Sequence, residues 1–104
     1  MNKDKLLTLA TTSNPSILPG LSLLELNPLV DWYNIMTYDY TSGSFGDKMT
    51  GHHSKTMDSP DPLKNRAGFS AEHAVNIYVQ KGALANKLNI GIAFYGRGFK
   101  TIGD

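Results

Sequence analysis

The chain has 104 residues, of which 40% are hydrophobic and 18% charged, and its formal net charge is +1. This length fits one domain, and the composition allows a packed core. The basic residues do not cluster, so no interface with nucleic acid or an anionic membrane is expected. Cysteine is absent, which excludes disulfides and thiolate metal ligands. No stretch reaches the roughly 20 apolar residues of a membrane span, so no membrane association is expected.

The first half of the chain predicts two strands separated by a short helical segment. Residues 6–10 are apolar and precede a polar, turn-forming run, which indicates a buried strand and a loop. Pro19 and Pro28 bracket a leucine-rich stretch, so at most two helical turns fit there. Residues 31–38 are aromatic and aliphatic and predict a second buried strand.

The second half predicts a long loop, a helix and a third strand. Residues 40–69 are rich in Gly, Ser and Pro, and such a loop far exceeds the usual connection of roughly 4–6 residues. Ser70 suits a helix N-cap, Glu72 is an acid in the first turn, and Gly82 suits the helix end. Residues 88–95 predict a third buried strand.

Apolar strands that alternate with helices indicate an α/β fold with parallel strands. Such a sheet needs cover on both faces. Three strands and two helices do not close a structure, so residues 1–104 are expected to be one piece of a larger α/β domain with open sheet edges.

Polar and aromatic residues follow the second and third predicted strands. Tyr38, Asp39 and Tyr40 end one strand, and Tyr95 and Arg97 end the other. Ligands meet parallel α/β folds at the carboxyl ends of the strands, so the two clusters are expected to converge on one ligand. A carboxylate, phenols and a guanidinium near aromatic faces suit a sugar. The alternative is that Asp39 and Arg97 form an ion pair that only holds two strand ends together.

Metal and cofactor motifs are not found. His52 and His53 are adjacent, so on an extended chain they point to opposite sides, and no third ligand accompanies them. Gly91, Gly96 and Gly98 end a strand and do not open a helix, so they match neither phosphate-binding fingerprint. We therefore expect neither a metal nor a cofactor.

Three motifs together resemble the family 18 glycoside hydrolases, the chitinases and their relatives. They read VDWYNIMTYDY at residues 30–40, GSFGDKMTGHHS at 43–54, and AEHAVNIYVQKGALANKLNIGIAFYGRGF at 71–99. Their order and spacing match a Met-x-Tyr-Asp strand, a following TGHxS-like loop, and a helix and strand that end in Tyr-Gly-Arg. The resemblance covers about residues 6–99. It implies strands five to seven of a (β/α)8 TIM barrel with a long loop after strand six, and such a barrel takes about 250 residues.

The resemblance also implies roles for individual residues. Family members hydrolyse N-acetylglucosamine polymers with retention, and the substrate's own acetamido oxygen attacks the anomeric carbon. Tyr38 would orient that acetamido group, and Asp39 would contact it or the sugar hydroxyls. Met36, Tyr95 and Arg97 would line the binding site. Phe45 stands where the family often has Trp, so it is expected among the substrate-binding residues with a stacking contact that differs from the family's.

The family's general acid is the Glu of a D-x-x-D-x-D-x-E motif, which is absent from this sequence. The resemblance therefore implies part of a chitinase-like hydrolase that is inactive alone. Two alternatives stay open: a non-catalytic chitin-binding protein, and a structural remnant that self-associates. The expected partners are chitin or N-acetylglucosamine oligosaccharides and a complementing barrel half. Relatives are commonly secreted, but the sequence leaves the compartment open.

Overall fold

A computed structural model describes residues 4–42, 50–60 and 66–100. In this part of the chain, three parallel strands form one sheet in the order β1-β2-β3. Their bounds are Thr8–Thr12 for β1, Trp32–Met36 for β2 and Leu88–Ile90 for β3. Register pairs Thr8 with Trp32 and Tyr33 with Leu88. The predicted order of strands and helices and the parallel sheet are confirmed.

Within the described ranges, two α-helices connect the strands. Helix α1, Leu23–Leu26, is short because the segment between the two prolines leaves little room, and a 3-10 turn at Leu18–Gly20 precedes it. Helix α2 is Ala71–Gln80. A second 3-10 turn, Ala85–Lys87, leads into β3. None of the helices in the described ranges has the length and apolar content that a membrane crossing requires.

The ends of α2 follow the predicted sequence signals. The Ser70 hydroxyl accepts a hydrogen bond from the His73 N–H at 3.3 Å, which satisfies one of the free donors of the first turn. Glu72 is exposed in that turn. Past the last turn Gly82 adopts a φ of 100°, a left-handed conformation that glycine adopts at low cost.

The helices cover only one face of the sheet. Tyr33 and Ile35 of β2 are fully buried against Tyr78 of α2, and the two tyrosine rings meet edge to face at 5.7 Å. The Tyr78 hydroxyl donates to the Thr12 carbonyl at 2.9 Å. We call this side the covered face. Asn34 and Met36 alternate with the buried residues and lie on the opposite, open face.

The expectation that the first and third strands are buried is wrong. Strand β1 begins two residues later than predicted, and Leu6 and Leu7 before it are 66% and 44% exposed. Strand β3 has only three residues, while Ile92 and Phe94 beyond it are 75% and 96% exposed. Continuous apolar runs are typical of parallel sheets that are covered on both faces. The described residues cover only one face of this sheet, so part of each run stays exposed.

Candidate functional site

The residues after β2 are fixed by hydrogen bonds to both neighbouring strands. The Ser13 hydroxyl, just past β1, donates to the Met36 carbonyl at 2.6 Å. The Thr37 hydroxyl donates to the Gly91 carbonyl at 2.6 Å. These bonds hold the carboxyl ends of the three strands together, so the side chains that follow start from a defined place.

Asp39 is the centre of the cluster at these strand ends. The Tyr95 hydroxyl donates to Asp39 Oδ1 at 2.8 Å. Arg97 donates to the same oxygen through Nε at 2.9 Å and Nη2 at 2.5 Å. The two predicted clusters therefore converge, and the ion pair between Asp39 and Arg97 is present. Within the described residues, Oδ2 of Asp39 accepts no hydrogen bond, so the ion pair leaves that oxygen free to accept.

The electrostatics of the cluster keep Asp39 ionised. Burial raises the pKa of the Asp39 carboxyl, but the hydrogen bonds from Arg97 and Tyr95 outweigh it, so the net pKa is lowered. Its hydrogen bond to Asp39 raises the pKa of Arg97. Desolvation and the same carboxylate raise the pKa of Tyr95. At neutral pH the group is an anion held by a cation and a phenol.

Tyr38 lies beside this cluster, against the backbone of the third strand segment. Its ring meets the Tyr95 ring edge to face, with centroids 6.1 Å apart. A Cβ on Gly91 would lie 2.8 Å from Tyr38 Cε1 and 2.7 Å from the Ile35 carbonyl oxygen. Glycine is needed there because any side chain would displace the Tyr38 ring. Within the described residues, the Tyr38 hydroxyl has no hydrogen-bond partner.

A pocket of about 270 Å³ opens next to Tyr38 and Asp39. This volume lies just below the roughly 300–1,000 Å³ of typical ligand sites. Residues from the ends of β1 and β2 and from the segment before α2 line it, among them Ser13, Met36, Tyr38, Asp39, Arg66 and Phe69. The pocket is therefore large enough for one small ring with its substituents.

Not every sequence-predicted residue reaches the pocket as expected. Tyr95 and Arg97, expected to line the binding site, contact Asp39 but are not among the residues that line this pocket. Tyr40 does line it, although its side chain is only 2% exposed and packs edge to face on Phe69. The Arg66 guanidinium covers the Phe69 ring at 4.0 Å. Phe45 lies outside the described residues. In the described ranges no three His, Asp or Glu side chains cluster as a metal site.

His53 is a site residue that the sequence reasoning missed. Its ring lies 5.3 Å from the Tyr95 ring, and it contacts the Asp39 amide and the Tyr95 carbonyl. These contacts span 14 and 42 residues of sequence. No local sequence pattern predicts these long-range contacts. The one signal in the sequence is that His53 lies in the loop that follows the tyrosines.

A parallel β/α sheet with a carboxylate, tyrosines and an arginine at its carboxyl edge is the arrangement of an α/β protein, a class whose ligands bind at the strand ends. The family model described as Glycosyl hydrolases family 18 matches residues 1–104. The chain therefore belongs to family 18 of the glycosyl hydrolases, and the resemblance drawn from the three motifs is confirmed.

Similar proteins are chitinases. Chitinase 1 of Aphanocladium album is 34% identical over 95 residues, which cover 91% of this chain and 22% of that protein. Chitinase 63 of Streptomyces plicatus is 35% identical over 103 residues, which cover 96% of this chain and 17% of that protein. The chain thus spans less than a quarter of the length of these two relatives.

Solved structures show the same fold. The chitinase domain of the spore coat protein CotE from Clostridium difficile matches with a TM-score of 0.79 and 29% identity, over 92% of this chain and 27% of that one. A class V chitinase from Nicotiana tobaccum, solved in complex with NAG4, matches with a TM-score of 0.68 and 29% identity, over 84% of this chain and 24% of that one.

Proposed function

We propose that residues 1–104 form the segment of a family 18 catalytic domain that spans strands five to seven of its (β/α)8 barrel, and that this segment holds an N-acetylglucosamine unit of a β-1,4-linked polymer. The parallel β1-β2-β3 order and the crossover through α2 support this placement. The names of the relatives support the substrate class.

One observation carries the proposal: the site pairs a free donor with a free acceptor. Tyr95 and Arg97 occupy Oδ1 of Asp39, while Oδ2 accepts nothing from the described residues. The Tyr38 hydroxyl, at the same pocket, is likewise without a partner in the described part of the chain. An acetamido group needs this combination, because its carbonyl accepts and its N–H donates.

In the proposed arrangement Tyr38 donates to the acetamido carbonyl and holds its oxygen below the anomeric carbon. Asp39 accepts from the acetamido N–H or a sugar hydroxyl, and the Met36 side chain lines the pocket. In the substrate-assisted route, that carbonyl oxygen forms a bond to the anomeric carbon as the glycosidic bond breaks. The leaving oxygen needs a proton, and this step requires an acid on the other side of the bond.

We propose that none of the described site residues supplies that proton. The sequence holds two glutamates, Glu25 and Glu72. Glu25 lies in α1 and Glu72 in the first turn of α2, and both are exposed. Neither lines the pocket. General acid catalysis contributes typically about 10²–10⁴-fold, so we propose that these residues position the sugar and do not cleave it alone.

Exposed apolar side chains at and beyond β3 support the proposal that another part of the barrel packs there. Ile90, Ile92 and Phe94 are 53%, 75% and 96% exposed, and β3 has no strand on its outer side within the described residues. Further β/α units of the same barrel type would cover this edge. Self-association through the edge is the alternative occupant, and size-exclusion chromatography with light scattering would reveal it as a dimer.

The proposal is tested by separating binding from turnover. We expect the chain to bind an N-acetylglucosamine tetramer in an NMR titration and to leave a fluorogenic chitobioside intact. Tyr38→Phe should weaken binding about fivefold, because one neutral hydrogen bond contributes roughly 1 kcal/mol. Tyr33→Phe is the matched control, since it removes a phenol from the covered face, where the Tyr33 hydroxyl is buried without a partner among the described residues.

Two results would contradict the proposal. Turnover of the chitobioside by this chain would show that an acid is present after all. Equal loss of affinity in the Tyr38 and Tyr33 variants would show that Tyr38 has no direct contact with the sugar. Binding without turnover that persists when the complementing barrel half is supplied would favour the non-catalytic chitin-binding alternative.

A further inference from the structure

The His53 imidazole bridges the end of β2 and the segment after β3. The Asp39 N–H points at Nδ1 at 3.4 Å, and Nε2 lies 3.2 Å from the Tyr95 carbonyl oxygen. The side chain is only 16% exposed. The ring therefore contacts two of the three residues that build the carboxylate cluster, one from each strand end.

Both contacts require the same form of the ring. A backbone carbonyl can only accept, so Nε2 must carry the proton that reaches Tyr95. A backbone N–H can only donate, so Nδ1 must present a lone pair to Asp39. The neutral imidazole with its proton on Nε2 satisfies both partners at once, and neither the other tautomer nor the imidazolium does.

The His53 contacts lie next to an unusual backbone conformation at Asp39. Asp39 has a φ of 62°, and among the described non-glycine residues it is alone in the left-handed region. Such a conformation is uncommon in non-glycine residues, and although Asp adopts it more easily than most, hydrogen bonds to the neighbouring amides fix it in place. The His53 ring accepts from the Asp39 N–H, and the His53 carbonyl accepts from the next amide, Tyr40 N–H, at 2.9 Å. One residue therefore accepts hydrogen bonds from the two amides on either side of the Asp39 Cα.

We propose that His53, as the neutral Nε2–H tautomer, is a positioning residue that holds Asp39 in its left-handed conformation and so aims the carboxylate at Tyr95 and Arg97. Its effect on sugar binding rests on the proposed function of the site. Its effect on the Asp39 backbone does not, and the two can be measured separately.

The first measurement is the tautomer in the ligand-free chain. Two-bond ¹H–¹⁵N spectra, recorded about two pH units above the ordinary His pKa of about 6.5, should show Nδ1 of His53 unprotonated and Nε2 protonated. The solvent-exposed ring of His52 provides the internal reference, which should show a mixture of tautomers. A His53 ring protonated on Nδ1, or a mixture like that of His52, overturns the proposal.

The second measurement compares four variants. His53→Ala removes the bridge, His53→Phe keeps an aromatic ring against Tyr95 without hydrogen bonds, and His53→Gln supplies a donor and an acceptor on one side chain. His52→Ala is the matched control. The readouts are the Asp39 three-bond HN–Hα coupling, which reports φ, and the affinity for an N-acetylglucosamine tetramer in an NMR titration.

We expect Ala and Phe to shift the Asp39 coupling and to weaken tetramer binding about tenfold, since two hydrogen bonds are lost. Gln should restore the coupling and bind within about threefold of the parent chain. A Phe variant that retains both parent values would assign the role to ring stacking and overturn the proposal. If the parent chain binds no tetramer, the proposed function fails, while the tautomer and the Asp39 coupling still decide the role of His53. If the Ala variant does not fold, the Phe and Gln pair decides.

Discussion

The two faces of the sheet differ in burial: one carries the packed core, and the other carries exposed side chains next to the pocket. On the covered face Tyr33 and Ile35 are completely buried against α2, in a core cluster made of described residues. On the open face the side chains of Asn34 and Met36 are exposed, and Met36 lines the pocket that Tyr38 and Asp39 border. The chain thus keeps the residues that stabilise its fold on the covered face and its proposed ligand-binding groups on the open face and at the strand ends.

The largest expected effect lies on the covered face. Tyr78→Ala should lower the free energy of unfolding by about 3–5 kcal/mol, because it empties a buried aromatic site and removes the hydrogen bond to Thr12. Tyr78→Phe should cost only about 1 kcal/mol. Urea denaturation followed by circular dichroism measures both. If both variants lose the same stability, the hydroxyl and not the packing holds α2 on the sheet.

An intermediate effect on stability is expected at Gly91, which lies between Ile35 and the Tyr38 ring. Gly91→Ala should destabilise the chain by about 1–3 kcal/mol through overpacking, because its Cβ meets Ile35 and Tyr38, and it should shift the Tyr38 ring signals in NMR spectra. Gly96→Ala is the matched control, since a Cβ there meets nothing within 4 Å, and it should stay within about 0.5 kcal/mol. A Gly91 variant with unchanged Tyr38 signals would contradict the role assigned to this glycine.

The smallest expected effect is the pH dependence of the carboxylate cluster. The pKa of Asp39 is lower in the folded chain than its ordinary value, so its ionised form adds stability above the unfolded pKa of about 3.9, and this contribution disappears as pH falls through the folded pKa. Asp39→Asn should therefore lose less stability than the parent chain between neutral and acidic pH in urea titrations.

Asp58 gives the control for that experiment. The hydrogen bond from the Gly68 amide lowers the pKa of the Asp58 carboxyl, so Asp58→Asn should also flatten the pH dependence. Asp58 does not line the pocket, and its substitution should leave tetramer binding unchanged. A parallel loss of binding in both variants would mean that the acid sensitivity is global and not a property of the site.

The sequence predicted local events well and burial poorly. The Ser70 cap and the Gly82 helix end follow from residues close in sequence, the parallel order follows from the alternation of strands and helices, and all three are confirmed. The convergence of Asp39 with Arg97 followed from the rule that parallel strands end at one edge. The burial of residues 88–95 could not be predicted, because it depends on what covers the sheet.

His53 could not be predicted either. Its partners lie 14 and 42 residues away, and a histidine in a polar loop has no periodic pattern that would mark it. Its role follows from the contacts of His53 with Tyr40 and Tyr95 at the strand ends. Residues of this kind are found by following hydrogen-bond partners and not by motif.

The left-handed turn at Asp39 also sets which amino acids the position tolerates and how a mutational scan there should be interpreted. Alanine would remove the carboxylate and, at a φ of 62°, would also strain the backbone, because only Gly, Asn and Asp adopt this region readily. A loss of function in Asp39→Ala therefore mixes two causes. Asn keeps the backbone preference and Gly relaxes it, so the pair Asp39→Asn and Asp39→Gly separates the chemistry of the group from the shape of the chain.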